Sequence, residues 1–354
     1  MIERLIQQMS NKGLGLRQTK GKFQIMGKVT GVEKDGFYKE GKSSNTTQYC
    51  QGKSWRRVNF GVMYQPDSVV YVQQTGSPQD YVYFNKSEVI NGKRVSDTQK
   101  VAWADRHKAP SEEYSLIGVH CGVEKIVDDD GKIVNNKKTL VAFDACKEIS
   151  EHLQDDDSVF VKGDIKFSTY NGKHNTSFDF DQVSLCQKPI DFDDEKFKPI
   201  NMFKQEIIFM GIEKNKENNN EFIVSAKVVN YNSIEDIEMY VHNSKIAQTF
   251  KKMLKPYTMI KVGGYISVET PVEEVEVDDA WGVGIEMEKV KAPTVRKLII
   301  NGADKDTIDT DTYSEEVIEE ALYKQKANDK ANSEFKTTSD SDDWGENYEG
   351  EEWD

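Results

Sequence analysis

The sequence is poor in the residues that usually build catalytic and metal centres. Its 354 residues include 5 histidines and 4 cysteines. The cysteines are far apart and form no CxxC pair, which indicates free thiols of a reducing compartment rather than a metal site. No phosphate-binding loop, GxSxG motif or HExxH motif occurs. We therefore predict that the chain is not an enzyme and needs neither a metal nor another cofactor.

Long apolar runs are also missing. No apolar stretch approaches the roughly 20 residues that a membrane-spanning helix needs. The N-terminal stretch MIERLIQQMS is too short and too charged for a signal peptide. We therefore expect a soluble protein of the cytoplasm that makes no contact with membranes.

Charge is distributed unevenly along the chain, whose formal net charge is -14. Residues 1–112 carry 18 Lys and Arg against 10 Asp and Glu, so this part is basic. The last 18 residues carry 8 acidic residues and no basic one. The basic region indicates a partner of negative charge, and the acidic C-terminal tail indicates a different partner.

Two stretches about a hundred residues apart share one pattern. Residues 140–181 and 239–269 each read as a strand, an amphipathic helix and a glycine-containing strand with period-two alternation. In the first stretch, Asn171 and Gly172 then predict a tight hairpin turn, because a type I′ turn needs positive φ at both positions. A helix at the end of a barrel, followed by a returning hairpin, is the layout of the second half of an OB-fold.

The fold class that we predict is mainly β, with tandem OB-fold (five-stranded Greek-key) barrels followed by a C-terminal helix and a disordered acidic tail. The predicted segments are a basic, aromatic-rich OB-like domain at 1–112, an OB-fold domain with linker at 113–200, an OB-fold domain at 201–303, a C-terminal helix at 304–330 and the tail at 331–354.

The first segment interleaves cations with aromatic residues. Single-stranded DNA binding needs this mixture, since cations neutralise phosphates and release counterions, and aromatic rings stack on unpaired bases. Phe37 and Tyr38 lie in a polar loop between Lys34 and Lys39, which favours exposed rings. The alternative is that the aromatic residues belong to the core and the lysines are simply solvated. The candidate DNA-binding residues of this segment are Lys22, Lys28, Lys34, Phe37, Tyr38, Lys42, Tyr49, Trp55, Arg56, Arg57, Phe60 and Tyr64.

The predicted hairpin of the second segment supplies further candidates, which are Lys162, Lys166, Tyr170 and Lys173. In OB-folds this hairpin borders the ligand groove. Because the segment is acidic overall, DNA contact and a plain barrel wall remain equally open.

The tail combines carboxylates with aromatic residues. A tail that only confers solubility needs no tryptophan, whereas aromatic anchors among carboxylates suit docking into a basic pocket of a partner. The tail could also compete with DNA by folding back on the basic segment, or be no more than a solvated end. The residues of this candidate partner site are Asp342, Asp343, Trp344, Tyr348, Glu351, Glu352, Trp353 and Asp354.

The residues from Val141 to Ile165 resemble the central part of bacterial single-stranded DNA-binding proteins, in which a short helix precedes a VxVxGxI strand. The overall plan is similar to that of the single-stranded DNA-binding proteins that bacteriophages encode. This resemblance implies barrel aromatics that stack bases and a tail that recruits replisome or recombination proteins. The end Trp353-Asp354 departs from the proline-phenylalanine end of the bacterial family.

The leading hypothesis is a sequence-tolerant single-stranded DNA-binding protein of DNA replication, recombination or repair. It would be a monomer, located in the host cytoplasm if a phage encodes it. The alternative is an OB-domain adaptor or virion protein whose ligand is another protein. Preference for RNA over DNA stays open, because stacking surfaces do not distinguish the 2′-hydroxyl.

Overall fold

The protein is mainly β, as predicted. The structure, a computed structural model, describes residues 13–43, 52–91, 93–170, 172–269, 272–273, 290–291 and 295–339. Three α-helices lie in these ranges, at α1 (Ala142–His152), α2 (Ser244–Met253) and α3 (Glu315–Ser339). None of the helices among the described residues has the length and apolar character that crossing a membrane requires.

The strands, numbered in chain order, fall into an N-terminal and a C-terminal group. The N-terminal group contains β1 (Gly21–Thr30), β2 (Tyr38–Lys42), β3 (Ser54–Gln65), β4 (Ser68–Gly76), β5 (Tyr81–Ile90), β6 (Lys93–Ala102), β7 (Ser115–Leu116), β8 (Val119–Val127), β9 (Ile133–Leu140), β10 (Ser158–Tyr170) and β11 (Lys173–Leu185). The C-terminal group contains β12 (Asn201–Lys214), β13 (Phe222–Val229), β14 (Ile234–Val241), β15 (Thr258–Glu269), β16 (Val272–Glu273), β17 (Val290–Lys291) and β18 (Val295–Asp309).

Five strands of the N-terminal group close on themselves. β1 pairs with β3, β3 with β4, β11 with β10, and β10 with β1, all antiparallel. A parallel pair, Gln73 with Asp179, joins β4 to β11 and closes the circuit. We call these strands, together with α1, the N-terminal unit. Its interior is filled by alternate side chains such as Val58, Phe60 and Val62, each with no exposed surface.

The C-terminal group repeats this circuit. β12 pairs with β13, β13 with β14, β18 with β15, and β15 with β12, all antiparallel. The parallel pair Tyr240 with Ile299 joins β14 to β18. These strands and α2 form the C-terminal unit. In both units the helix lies between the third and fourth strands of the circuit in chain order.

The repeated sequence pattern falls at the same place in the two units. The glycine strands are β10 and β15, and in each the pairing with the next strand shifts register at the glycine, at Gly163 and at Gly264. A Cβ at Gly163 would lie 2.1 Å from the carbonyl oxygen of Asp179, and one at Gly264 would lie 1.8 Å from that of Ile299. Glycine is needed at both positions because the neighbouring backbone already occupies the space.

The predicted division into three domains differs from the structure. β1 lies in the segment 1–112, yet Lys22 to Lys28 pair with β10 of the segment 113–200. The two segments therefore build one closed unit, and the described residues form two such units where three domains were predicted. The physical reason is that β1, β3 and β4 leave one edge of β1 and one edge of β4 to be paired, and the more distant strands β10 and β11 pair with these edges.

Residues 81–140 form an insertion between β4 and α1. Within it β5 and β6 make a long antiparallel ribbon, extended by β7 into a three-stranded sheet. A short 3-10 helix at Trp103–Asp105 follows the ribbon. β8 and β9 make a second hairpin, and β8 runs parallel to β11.

The C-terminal helix packs on the C-terminal unit. Tyr313 and Ile318 have no exposed surface and share a cluster with Leu14 and Ile208. The Tyr313 hydroxyl donates a hydrogen bond to the carbonyl of Arg17, at 2.8 Å. Residues 304–309, predicted as helix, complete β18, and α3 continues to Ser339 rather than ending at residue 330. The rest of the predicted tail lies outside the described residues.

Candidate nucleic-acid interface

The outer surface of β2, β3 and β4 combines aromatic and cationic side chains. Alternation turns Val58, Phe60, Val70 and Val72 into the interior, so the residues between them must face outwards. We call the outward set the β2–β4 face, and its members that matter for binding are Lys39, Trp55, Arg57, Asn59, Tyr71, Gln73 and Thr75. Pairing sets Lys39 beside Arg57, and Arg57 beside Thr75.

The two aromatic residues lie near opposite ends of this face. The half-buried indole of Trp55 covers Gly41, where a Cβ would lie 3.2 Å from the ring. Tyr71 is 39% exposed and is paired with Gly61. Trp55 and Gly61 are six residues apart on β3, so the two rings are separated by about 20 Å along the strand. A face of this length can hold several consecutive bases of an extended strand.

Polar contacts hold the middle of the face in place. The Arg57 guanidinium donates a 2.6 Å hydrogen bond to the Gln73 side chain. The amide of Gln73 donates in turn to Asp179 on β11, at 3.0 Å. Asp179 is therefore a carboxylate at the border of the face, and Ser177 also donates to it, at 3.2 Å.

The C-terminal unit adds a cation to one end. The Arg296 guanidinium carbon lies 5.8 Å from the centroid of the Tyr71 ring, and Arg296 is the second residue of β18. Among the described residues no carboxylate lies within ion-pair distance of Arg296. A guanidinium beside an exposed tyrosine provides a phosphate contact and a stacking surface together.

The equivalent face of the C-terminal unit has a different character. On β13 and β14 the outward residues Lys227 and Asp236 form a 2.5 Å ion pair, and Glu238 is exposed beside Ser225. This surface has no excess of cations. A polyanion should therefore prefer the β2–β4 face.

Three predicted stacking residues belong to the core. Phe37 is 6% exposed, Tyr64 6% and Phe60 0%. Phe37 packs edge-on against Phe60, with ring centroids 6.5 Å apart, and the Tyr64 hydroxyl donates to the carbonyl of Ile266 at 3.2 Å. The prediction that these rings stack on bases is wrong for this structure. The polar neighbours of Phe37 were a misleading sign of exposure. The chain turns inwards at Phe37, whereas the flanking Lys34 and Lys39 are exposed to solvent.

Tyr38 and Arg56 take part in a structural cluster around the start of α1. Arg56 stacks on the Phe143 ring at 3.9 Å and pairs with Glu40 at 3.2 Å and with Asp144 at 3.9 Å. The Tyr38 hydroxyl donates to Glu40 at 2.7 Å. Partial burial and this carboxylate together raise the pKa of Tyr38 to about 12. Both side chains are already engaged, so they are poorer candidates than Arg57.

Other predicted cations lie on the wall formed by β1 and β10. The Lys22 ammonium lies 2.8 Å from both Asp164 and Asp181. Partial burial lowers its pKa, but the two carboxylates outweigh that effect and the pKa is raised. Lys162 is half-buried on the same wall, opposite Gln182. β1 meets β3 only from Lys28 to Thr30, so this wall is separate from the β2–β4 face.

The remaining predicted residues are dispersed. The Lys28 ammonium lies 5.3 Å from the Phe192 ring. Four lysines are exposed at different places, Lys34 in a loop, Lys42 at the end of β2, Lys166 on β10 and Lys173 at the hairpin. The predicted two-residue hairpin turn is confirmed by the pair Tyr170 with Lys173. Tyr49 and the tail residues lie outside the described residues, and the side chain of Tyr170 is not described.

The sequence reasoning missed Tyr71 and Arg296. Tyr71 lies between Val70 and Val72, so the period-two alternation could have assigned it to the outer surface. No local signal marks Arg296, because its position beside Tyr71 depends on how the two units pack.

A group with metal-ligand geometry lies elsewhere, at Glu124, Glu148 and His152. The Lys138 ammonium already occupies its centre, 2.7 Å from Glu124 and 2.8 Å from Glu148. The group is therefore a satisfied ion-pair network, and it carries no metal assignment.

A protein-family model described as YorF matches residues 90–338. The chain belongs to the YorF family. The match covers the ribbon end, α1, both glycine strands and most of α3. No curated protein matches the chain.

Two solved structures are similar to this YorF-family chain, both of the single-stranded DNA-binding protein from Thermus aquaticus. One is the wild-type protein and the other a deletion mutant. Each has 7% sequence identity and a TM-score of 0.37, covering 81% of this chain and 93% or 94% of the other. A TM-score of 0.37 is too low to establish a shared fold.

Proposed function

We propose that this protein binds single-stranded DNA, with little preference for sequence, on the β2–β4 face. The observation that carries the proposal is the combination on one surface of exposed Tyr71, half-buried Trp55 and the cations Lys39, Arg57 and Arg296. Rings stack on any base because every base has a π-face. Cations contact phosphates, which are the same in every sequence.

We also propose that both closed units are OB-fold barrels. An OB-fold is a five-stranded Greek-key barrel that binds oligonucleotides on its second and third strands. β3 and β4 are the second and third strands of the N-terminal circuit. The proposed DNA surface therefore coincides with the surface that this fold uses for its ligands.

The wider role that we propose is coating of single-stranded DNA in replication, recombination or repair, as in proteins of this kind from bacteriophages. The acidic tail, with Trp344, Tyr348 and Trp353, would recruit protein partners. Its composition supports this role, since aromatic residues among carboxylates suit a basic, partly apolar pocket. Deleting the tail should leave DNA affinity at least as high and abolish capture of replication proteins.

The binding test uses the full-length protein and fluorescently labelled oligo-dT. Anisotropy titrations at several salt concentrations give the slope of log K against log salt. Each phosphate contact on a single strand contributes about 0.7 to the magnitude of that slope. We expect Lys39→Gln and Arg57→Gln each to reduce it by about that amount.

The matched control is Lys216→Gln. Lys216 is exposed in the loop between β12 and β13 of the C-terminal unit, so the substitution removes the same charge from a residue outside the β2–β4 face. No binding of oligo-dT at low salt would refute the function. Equal slopes for all three variants and the wild type would refute the assignment to this face.

One observation favours a second candidate function. The corresponding face of the C-terminal unit presents Asp236 and Glu238, which suits a basic protein rather than DNA. An adaptor whose ligand is another protein would bind oligo-dT weakly and would be insensitive to Arg57→Gln. The same titrations therefore separate the two functions.

A further inference from the structure

The β5–β6 ribbon has one face without acidic residues. Pairing from Tyr81 with Ala102 to Ile90 with Lys93 defines its two faces, because successive side chains alternate. The residues of the first face, which we call the ribbon face, are Tyr81, Tyr83, Asn85, Ser87, Val89, Arg94, Ser96, Thr98, Lys100 and Ala102. They include two aromatic residues and two cations.

The tyrosines of the ribbon face are exposed although they are large. Tyr81 is 45% and Tyr83 49% exposed, and they are two residues apart on one strand. Lys100 is paired with Tyr83, and its ammonium lies 3.7 Å from the centroid of the Tyr81 ring. This geometry puts a cation over one exposed ring and on the residue paired with a second exposed tyrosine.

The cations of the two ribbon faces differ in their partners. On the opposite face the Lys86 ammonium lies 2.5 Å from Glu88 and 2.6 Å from Glu113. On the ribbon face, within the described part of the chain, neither Lys100 nor Arg94 lies within ion-pair distance of a carboxylate. The ribbon face is thus complementary to an anion. On the opposite face the charge of Lys86 is already neutralised by Glu88 and Glu113.

The ribbon base is fixed on the N-terminal unit. Trp103 packs edge-on against Phe143 of α1, with centroids 6.2 Å apart. Arg106 donates to Asp144 at 2.7 Å and 3.3 Å and lies over the Trp103 ring at 4.7 Å. An isolated two-stranded hairpin is marginally stable, so these contacts hold the ribbon face in a defined orientation.

A groove of about 610 Å³ connects the ribbon face to the β2–β4 face. Thr75, which is outward on β4, lines one side, and Tyr81, Tyr83 and Lys100 line the other. Asp80 is the one carboxylate among the lining residues that the structure describes. Because Thr75 is paired with Arg57, the groove begins at the end of the β2–β4 face that holds Arg57 and Trp55.

We infer that the ribbon face is a second contact surface for single-stranded nucleic acid, continuous with the β2–β4 face. This inference rests on the proposed function and extends the bound strand outside the barrel surface. Tyr81 and Tyr83 would stack on bases, and Lys100 and Arg94 would contact phosphates. A protein ligand is disfavoured here because the face continues from the two tyrosines into the polar pairs Asn85 with Thr98 and Ser87 with Ser96 rather than into an apolar patch.

The test compares two lysines of β6 that point to opposite sides of the ribbon. Lys100 is on the ribbon face and Lys93 on the other, and both are exposed. The full-length wild type, Lys100→Gln and Lys93→Gln are titrated with labelled oligo-dT of increasing length, from about 4 nucleotides to well beyond about 16, the range of sites for one OB-fold. We expect Lys100→Gln to reduce the salt slope for long oligonucleotides by about 0.7, and Lys93→Gln to leave it unchanged.

A second variant tests stacking. Tyr83→Ala should weaken binding of long oligonucleotides about tenfold, within the range reported for loss of one stacked base, and leave the shortest ones unaffected. Tyr323→Ala, which removes an exposed tyrosine on α3 that is 76% exposed, is the control. If the wild type binds no oligonucleotide, the proposed function itself fails. If it binds but Lys100→Gln matches Lys93→Gln and Tyr83→Ala matches Tyr323→Ala at every length, only the ribbon inference is overturned.

Discussion

Replacing Tyr71 with alanine should weaken binding of single-stranded DNA and cost less stability than removal of a core ring. Tyr71 is 39% exposed, so its truncation leaves a depression open to solvent rather than an enclosed cavity. Loss of one base-aromatic stack costs about 1–3 kcal/mol. At 1.4 kcal/mol for each tenfold change, the dissociation constant should rise between about fivefold and about 140-fold. Tyr71→Phe keeps the ring and should retain most of the affinity.

Replacing Phe37 with alanine should have the opposite effect. The Phe37 ring is 6% exposed and packs on Phe60, which is fully buried. Truncation of a buried phenylalanine costs about 3–5 kcal/mol of unfolding free energy. Because Phe37 lies at the end of a loop, where neighbours can relax, we expect about 3 kcal/mol. The affinity of the folded variant for DNA should not change.

Two measurements on each variant decide between these roles. Urea unfolding followed by circular dichroism gives the free energy of unfolding, and anisotropy with labelled oligo-dT gives the dissociation constant. The binding measurement is made well below the unfolding midpoint, so that only folded protein contributes. If Phe37→Ala lost affinity without losing stability, and Tyr71→Ala did the reverse, the assignment of inward and outward residues on this face would be refuted.

Three further predictions concern stability and reactivity. Gly163→Ala should destabilise the protein by about 3 kcal/mol, because the added Cβ meets backbone that cannot move freely. In the control Gly211→Ala the added Cβ has no atom within 4 Å, so stability should change by less than about 1 kcal/mol. Equal urea midpoints for the two variants would contradict this prediction. The pKa of Glu221 is lowered below 4.5 although burial raises it, since hydrogen bonds and a lysine ammonium favour the carboxylate. The stability that the ionised Glu221 contributes is present above pH 4.5 and is lost as the pH falls through the folded-state pKa. In Glu221→Gln the free energy of unfolding should therefore fall less steeply as the pH is lowered. The same fall with pH in the variant and the wild type would contradict this prediction. Burial raises the pKa of Cys121 and of Cys146 to about 12, so both thiols should resist alkylation at pH 8 until urea unfolds the protein, as peptide mapping by mass spectrometry would show.

The local parts of the fold were predictable because their causes are local. Alternation of apolar and polar residues over Val159–Ile165 and Ile260–Ile266 predicted the two glycine strands, and both lie where expected. The hairpin turn before Lys173 followed from two residues with a preference for positive φ. Exposure was less predictable, since the polar neighbours of Phe37 concealed a ring that points into the core.

The pairing of strands was not predictable from alternation. A period of two residues tells which face of a strand is buried, but not which strand covers its edge. One partner of β1 is β10, more than a hundred residues away, and about sixty inserted residues separate β4 from α1. Counting similar segments along the chain therefore gave three domains, where the pairing makes two closed units.

The sequence by itself determined the β-rich character, the repeated strand-helix-strand pattern, the basic N-terminal region and the acidic tail, because composition and short-range periodicity record these directly. Only the tertiary structure decided that Phe37 points into the core, and that Arg296 lies beside Tyr71. It also decided that the ribbon presents two tyrosines and Lys100 next to the same face. These features depend on contacts between residues far apart in the chain, and a surface assembled from distant strands leaves no local pattern by which to recognise it.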